Sequence, residues 1–446
     1  MRRASPKDAL SDRGRGGQGQ RTKPGIFGDI PNRDLLERLG QIAHRLGTRS
    51  FLVGGPVRDL ILGCASPDLD VAVEEGSREF GAVVAKESGG RFVFHSRFLT
   101  GTVHLDQPPL ANRHSPFADS ASSPVPRPPS LAHIDITQTR AETYERPAVL
   151  PAVRPASIVG DLGRRDFTIN AMAFEITPDS FGAFIDPFDG RVDLTQRCVR
   201  VLHARSFIDD PTRIFRCIRF ATRLGFTIER QTLDLMRSAV EQRLPAFLTP
   251  ERVLYELRLI CAESLVLPMT KELIRERVLE AAWRWIPPAR FVDGMAKLVR
   301  NRVAPELLFI YWLSVLPVTD RFPIRKEERD AAEAIAAFGK LRPKLKPRLK
   351  PSAIYQVLRG VPEPALAVLA ALQTKAVSAG IHAFLDSYSR VRIATTGADL
   401  HGAGLKPGPA FREILDELLF ARLDGRIRSV TQERTLLQQL ARQKVG

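Results

Sequence analysis

The sequence predicts an α/β head followed by an all-α arm, and two observations carry that division. Short apolar runs bounded by Gly, Ser or Pro recur up to about residue 200, where apolar stripes at helical spacing replace them. At 446 residues the chain is also too long for one ordinary core, so two or more domains are expected.

Residues 1–28 are rich in Gly, Arg and Gln, cannot bury enough apolar surface to offset the entropy of ordering, and are expected to form a disordered basic tail. They contain no apolar h-region, so a secretory signal is not expected. A helix follows over Leu35–Leu46, with Leu35, Leu39, Ile42 and Leu46 on one stripe. The run Phe51-Leu52-Val53 reads as a strand broken by Gly54-Gly55, then a helix carrying Val57, Leu60 and Ile61, then a strand over Leu69–Val73. Further strands are expected at Phe92–Phe94, Thr102–Leu105, His133–Thr137 and Asn170–Ile176. The stretch 106–132 is crowded with Pro and Ser and reads as a mobile insertion between strands. The later chain reads as amphipathic helices, among them Thr212–Leu224, Pro250–Cys261 and Ala410–Ala421. The expected organisation is therefore a tail (1–28), a head (29–200), a helical neck (201–265) and a helical body and tail (266–446).

The composition is globular, 44% hydrophobic and 26% charged, and the net charge of +16 favours a polyanionic partner such as RNA or DNA. Four cysteines (Cys64, Cys198, Cys217, Cys261) form no C-x-x-C pair, which argues against a zinc ribbon or disulfide framework and for a reducing compartment. The longest apolar run, Leu307–Val318, is too short to span a bilayer. A cytoplasmic protein with no membrane association is expected, and nothing in the sequence calls for an obligate protein partner. The run Lys340–Lys350 alternates Lys or Arg with Leu and Pro; it fits either a solvated linker or a contact for RNA phosphates.

The chemistry concentrates in Phe51–Glu74. Asp68 and Asp70 stand two apart at a strand, hence on one face, and repel unless a cation lies between them. In-line phosphoryl transfer uses that arrangement: carboxylates hold Mg²⁺ ions roughly 4 Å apart that activate the attacking hydroxyl and neutralise the leaving pyrophosphate. Gly54 and Gly55 let backbone N–H groups approach a triphosphate without an intervening Cβ. A D-x-D pair alone is weak, since such pairs often cap turns; the upstream glycine pair strengthens it.

The segments G-G-P-V-R-D (Gly54–Asp59) and D-L-D (Asp68–Asp70) resemble the opening motif of class II tRNA nucleotidyltransferases and bacterial poly(A) polymerases. GRRDFTINA (Gly163–Ala171) resembles their ribose-reading motif, and DPFDGRVDL (Asp186–Leu194) their hinge motif. DDPTRIFRCIRFATRLGF (Asp209–Phe226) resembles the nucleobase-reading helix, and ERVLYEL (Glu251–Leu257) its supporting helix. These segments follow the family's order; Gly397–Pro409 resembles a less specific C-terminal feature. The resemblance implies a polymerase-beta-like nucleotidyltransferase head with a mixed sheet, Mg²⁺ on Asp68 and Asp70, CTP and ATP as substrates, and a helical arm gripping tRNA. It also places Gly54, Gly55 and Arg58 at the nucleotide.

Each segment also has a physical reading. Asp166 and Asn170 offer an acceptor and an amide for a ribose hydroxyl, and Arg164 and Arg165 offer planar donors for phosphate. Asp210 and Arg213 are neighbours on one helical face, where an acceptor beside a bidentate donor can imitate a Watson–Crick edge for C or A. Arg216 and Arg219 continue that face toward a triphosphate. Without the resemblance, a capped helix with a solvated basic stripe would be the default. Asp135 faces away from Ile134 and Ile136 and is a candidate third carboxylate, either deprotonating the RNA hydroxyl or orienting a neighbour. The pattern R-x-E-x-Y at Arg140, Glu142 and Tyr144 also occurs in the family.

Two features depart from the family: Asp209 stands where Glu is usual, and the insertion 106–132 has an unusual composition. The function expected is CCA addition to the tRNA 3′ end. CC-only or A-only addition and poly(A) synthesis share its chemistry. A non-catalytic RNA-binding protein is the alternative of another class, though it has no reason to keep a repulsive aspartate pair. Nucleotide transfer to a small molecule would not call for the basic arm.

Overall fold

The computed structural model describes residues 32–64, 68–105, 133–317 and 322–445; the expected tail at 1–28 and the insertion at 106–132 lie outside the described residues. The chain forms two compact units that divide between Leu248 and Thr249, inside the stretch expected as a neck.

The first unit opens on α1 (Arg33–Arg45), which buries Leu36, Leu39, Ile42 and Ala43. The buried face is turned by one residue from the expected stripe, because Gly40 lies against backbone: a Cβ there would sit 1.8 Å from the Ile176 carbonyl oxygen. Leu35 and Leu46 are left half-buried. Next come β1 (Ser50–Val53), α2 (Gly55–Ile61), β2 (Asp70–Val73), α3 (Ser77–Ser88), β3 (Arg91–His95), β4 (Thr100–His104) and β5 (His133–Gln138). β6 (Arg140–Thr143) and β7 (Ala152–Pro155) form a small antiparallel ribbon, followed by α4 (Ile158–Gly163), β8 (Ala173–Glu175) and β9 (Phe184–Ile185). Among the described residues the main sheet has seven strands in the order β3-β4-β5-β2-β1-β8-β9. It is mixed: β2 runs parallel to β5, whereas its other pairings are antiparallel. All four residues of β1 are buried, as expected for a strand covered on both faces.

The strand expected over Asn170–Ile176 begins only at Ala173, because Thr168–Asn170 is a 3-10 turn. The Asn170 side chain is tied to Asp166, and the Ala171 N–H donates to the Thr168 carbonyl, so that backbone is spent on the turn. The unit continues with α5 (Gly190–Thr195), β10 (Cys198–Val199), α6 (Ser206–Asp209), α7 (Thr212–Leu224), β11 (Thr227–Ile228) and α8 (Arg230–Glu241). Strand structure therefore persists past residue 200: Thr227 and Ile228 pair in parallel with Cys198 and Val199. α7 ends at Gly225, whose φ of 64° is the left-handed stop that glycine makes without strain.

Among the described residues the second unit consists of helices and short 3-10 turns, from α9 (Pro250–Cys261) onward. The guanidinium of Arg258 on α9 is bidentate to Glu328 (2.9 and 2.8 Å) and lies over the Phe309 ring. The segment Pro305–Leu313 is a buried helix, and no helix among the described residues is long and apolar enough to cross a membrane. Farther on, one apolar cluster gathers Phe338, Leu358, Leu366 and Ile381; another gathers Leu400, Ile414, Leu418 and Leu437 on the helix Pro409–Leu423 and its neighbours. The basic run at 340–350 is built into the first cluster: Leu345 is buried there and Leu341 and Leu349 pack against it, while Lys344 and Lys346 are exposed. All four cysteines are free, Cys64 exposed and the others buried.

Candidate active site

The site grows from the end of β1. Gly54 has φ 74° and ψ −130°, and a Cβ on it would lie 2.6 Å from Arg165 Nη1 and 3.7 Å from Asp70 Oδ2. The left-handed backbone requires glycine, and a Cβ would also push the Arg165 guanidinium aside. Asp70 is the first residue of β2, and the parallel pairing sets it in register with Asp135 of β5. The ladder extends one residue earlier, where the Asp135 N–H donates to the Leu69 carbonyl at 2.9 Å. Paired residues of neighbouring strands share a face, so Asp135 stands beside Asp70.

This packing has an electrostatic cost. Burial, helped by the carboxylates of Asp135 and Asp68, pushes the Asp70 carboxyl up to about 6, against the opposing pull of Arg165. Asp135 Oδ1 accepts from the Thr102 hydroxyl at 2.6 Å, and its Oδ2 lies 3.8 Å from His133 Nε2. Among the described residues no group of three or more His, Cys, Asp or Glu could hold a metal ion by itself. Converging carboxylates, one of them lifted by burial, nevertheless suit a divalent cation whose remaining ligands are phosphate oxygens and water.

Opposite lies a platform of fixed arginines. The buried Asp161 accepts from Arg164 Nε and Nη2 (3.0 and 2.8 Å) and from Arg165 Nη2 (3.0 Å). Burial raises its carboxyl, but Arg165 and Arg164 together hold it below its ordinary value. Arg164 Nη1 also donates to Glu142 (2.8 Å), which receives the Tyr144 hydroxyl (2.8 Å) and Arg140 Nε (3.3 Å). Asp166 is saturated from within. Its Oδ1 accepts from the Phe167 N–H (2.8 Å) and Asn170 Nδ2 (3.0 Å), and its Oδ2 from Arg216 Nε (2.8 Å). Burial opposes ionisation there, yet Arg216 and Asn170 hold the carboxyl down at about 2. Asn170 Oδ1 in turn accepts from Arg58 Nη1 (2.7 Å).

Just before α7, whose N-cap position is Pro211, Asp210 Oδ1 accepts from the Thr212 N–H and hydroxyl (3.0 and 2.7 Å). Arg213 is locked by donating to Ser206 Oγ and to the Arg164 carbonyl, both at 2.7 Å. Asp209, which replaces the usual Glu, pairs with Arg205 at 3.1 Å.

These parts enclose a cavity of about 530 Å³. Its lining includes Gly54, Gly55, Arg58, Asp68, Asp70, Arg164, Arg165, Asp166, Asn170, Asp210, Arg213, Arg216 and Arg219, every residue singled out from the sequence except Asp135. Asp135 stands beside Asp70 on the neighbouring strand and is not itself part of the lining. The lining also holds Arg140, Glu142 and Tyr144, whose pattern was visible but had been given no place in the site. Arg223, one turn beyond Arg219, was legible from helical spacing, whereas Phe98 and Pro151 carried no signal.

A mixed sheet presenting paired carboxylates beside an arginine-lined cavity defines a nucleotidyl-transfer enzyme. Residues 50–200 match the family described as the poly A polymerase head domain. The chain is 31% identical over 392 residues to an A-adding tRNA nucleotidyltransferase of Halalkalibacterium halodurans, covering 85% of this chain and 86% of that one. It is 31% identical over 442 residues to an A-adding tRNA nucleotidyltransferase of Geobacter sulfurreducens, covering 92% of this chain and 47% of that protein. It superposes on the apo form II structure of a CCA-adding enzyme with a TM-score of 0.72 and 27% identity, over 95% of this chain and 96% of that one. The chain belongs to the class II tRNA nucleotidyltransferase and poly(A) polymerase family, whose members use divalent metal ions.

Proposed function

We propose that this nucleotidyltransferase extends the 3′ end of tRNA without a template, transferring CMP and AMP from CTP and ATP to build a CCA end. The observation that carries this reading is the register of Asp70 against Asp135, beside a cavity rich in arginine. Asp68 and Asp70 would hold Mg²⁺, which when bound activates the attacking hydroxyl and neutralises the leaving group.

The remaining work falls to the chain. Asp135 accepts the proton of the RNA 3′ hydroxyl. The freed 3′ oxygen bonds to the α-phosphorus as the bond to the β-phosphate oxygen breaks, and pyrophosphate leaves with the electron pair. Gly55 brings its backbone N–H to the phosphates, whereas the Gly54 N–H, expected from the sequence to do the same, is spent on the Met172 carbonyl at 3.3 Å; Arg58, Arg216 and Arg219 face the phosphate charge and Arg164 and Arg165 add planar donors. Asp210 and Arg213 read the base edge. Asp166, its acceptors filled by Phe167, Asn170 and Arg216, acts on the ribose through Asn170, whose remaining amide hydrogen is the group left to meet a hydroxyl.

A second reading, addition of the terminal A alone, is favoured by the two A-adding relatives that match most of this chain. One experiment separates the readings. The protein is given tRNAs lacking the whole CCA end, lacking its last two nucleotides, or lacking only the final A, with Mg²⁺ and with CTP and ATP supplied separately. CCA addition extends all three; A-only addition extends only the last, and only with ATP. No Mg²⁺-dependent incorporation into any of them by folded protein would sink both readings.

A further inference from the structure

Asp135 does not stand alone on its strand face. The pairing of β3 with β4, of β4 with β5 and of β5 with β2 sets Val93, Thr102, Asp135 and Asp70 in one cross-strand row. Neighbours in such a row share a face, so Thr102 and Asp70 flank Asp135, one on each side. The Thr102 hydroxyl donates to Asp135 Oδ1 at 2.6 Å. Among the described residues it is the one side-chain donor within hydrogen-bond distance of that carboxylate, since His133 Nε2 stays 3.8 Å from Oδ2. The Asp135 side chain is 50% exposed, so packing alone does not fix its orientation.

A carboxylate with that freedom has two soft torsions, and a proton acceptor is useful only while it points one way. Thr102 supplies the missing restraint. It is β-branched on a strand and half-buried, which restricts its χ1 and pre-sets the hydroxyl. A hydroxyl donating to a carboxylate makes one of the stronger hydrogen bonds, able to hold a side chain that solvent would otherwise turn. We propose that Thr102 is a positioning residue for the transfer step: its hydroxyl holds Asp135 Oδ1 on the side away from Asp70, leaving Oδ2 to take the proton of the RNA 3′ hydroxyl. The inference rests on the reading of Asp135 as the proton acceptor and deepens it.

The test uses the full-length protein with Mg²⁺, ATP and tRNA lacking only the final A, the reaction that both readings above share. Single-turnover rates are followed against ATP and tRNA concentration, so that product release cannot mask the transfer step. Thr102→Val keeps the β-branched shape and removes the donor. It is expected to lower the maximal rate about tenfold and to leave the half-saturating ATP and tRNA concentrations within about twofold. Thr102→Ser restores the hydroxyl and should return the rate to within about threefold of wild type. In an Asp135→Ala background, Thr102→Val should change the rate by less than about twofold, since the group it positions is gone. Thr102→Ala takes its place in the same comparisons should Thr102→Val fold poorly. Equal rates for wild type and Thr102→Val, equal losses in Thr102→Val and Thr102→Ser, or losses that multiply in the Asp135→Ala background each overturn the role and leave the proposed reaction standing. Wild-type protein that extends no tRNA overturns the proposed reaction and the role with it.

Discussion

Asp70, half-buried, and Asp166, buried, stand at one cavity, and their surroundings drive them in opposite directions. Burial lifts Asp70 to about 6, with Asp135 and Asp68 adding to it and Arg165 only partly opposing it; at Asp166, Arg216 and Asn170 outweigh burial and hold the carboxyl down at about 2. Burial opposes ionisation at both, so the difference lies in the partners. One carboxylate keeps a charge that the proposed cation would answer. The other has its acceptors filled by the fold and serves as a fixture. Unmet charge marks where chemistry happens, and met charge marks what holds it in place.

The largest expected effect comes from the side of unmet charge. Asp70→Asn should cost at least about a thousandfold in kcat while tRNA affinity is retained. Without added metal it should raise Tm at neutral pH. The sign follows from the raised pKa: the favourable contribution of Asp70 is present below its ordinary value of 3.8 and is lost as pH rises through about 6. The Tm difference should thus vanish below about pH 4, and Mg²⁺ should raise Tm in wild type but not in the variant. Near-normal turnover by Asp70→Asn would remove the metal assignment and with it the contrast.

Asp135→Asn comes next, with a loss of about a hundredfold or more and a weakened pH dependence of kcat/KM. An unchanged pH–rate profile would reduce Asp135 to orienting its neighbours. On the saturated side the main effect is on stability. Asp166→Ala strands Arg216 and should cost about 3–5 kcal/mol in denaturant unfolding. In wild type, the stability due to Asp166 is present above 3.8 and is lost as pH falls through about 2. The smallest effect is expected at Asp210→Ala: roughly tenfold lower discrimination among nucleotides, measured by competition, with tRNA affinity within about twofold. Equal losses for every nucleotide would remove Asp210 from base reading and leave it a structural contact of Thr212.

Much of this was legible in the chain. The glycine turn, the D-x-D pair and α7 are local features, written within a few turns of backbone. The one-residue rotation of α1 was not legible, since it follows from the close approach of Gly40 to Ile176 far along the chain. Nor was the turn at Thr168–Asn170, whose residues look strand-forming until Asn170 is tied to Asp166 and Arg58. Glu142 and Tyr144 could be seen as a pattern but not placed, because their partner Arg164 is distant in sequence.

The sequence by itself determined which residues could carry charge to a phosphate and which helix would present them, because helical spacing is a local property. Only the tertiary structure decided the balance of that charge. Parallel pairing of β2 with β5 brings Asp135 alongside Asp70, and the packing of α7 seals Asp166 beneath Arg216. Spacing can say that an aspartate faces inward; whether it meets another aspartate or an arginine depends on which distant segment packs against it.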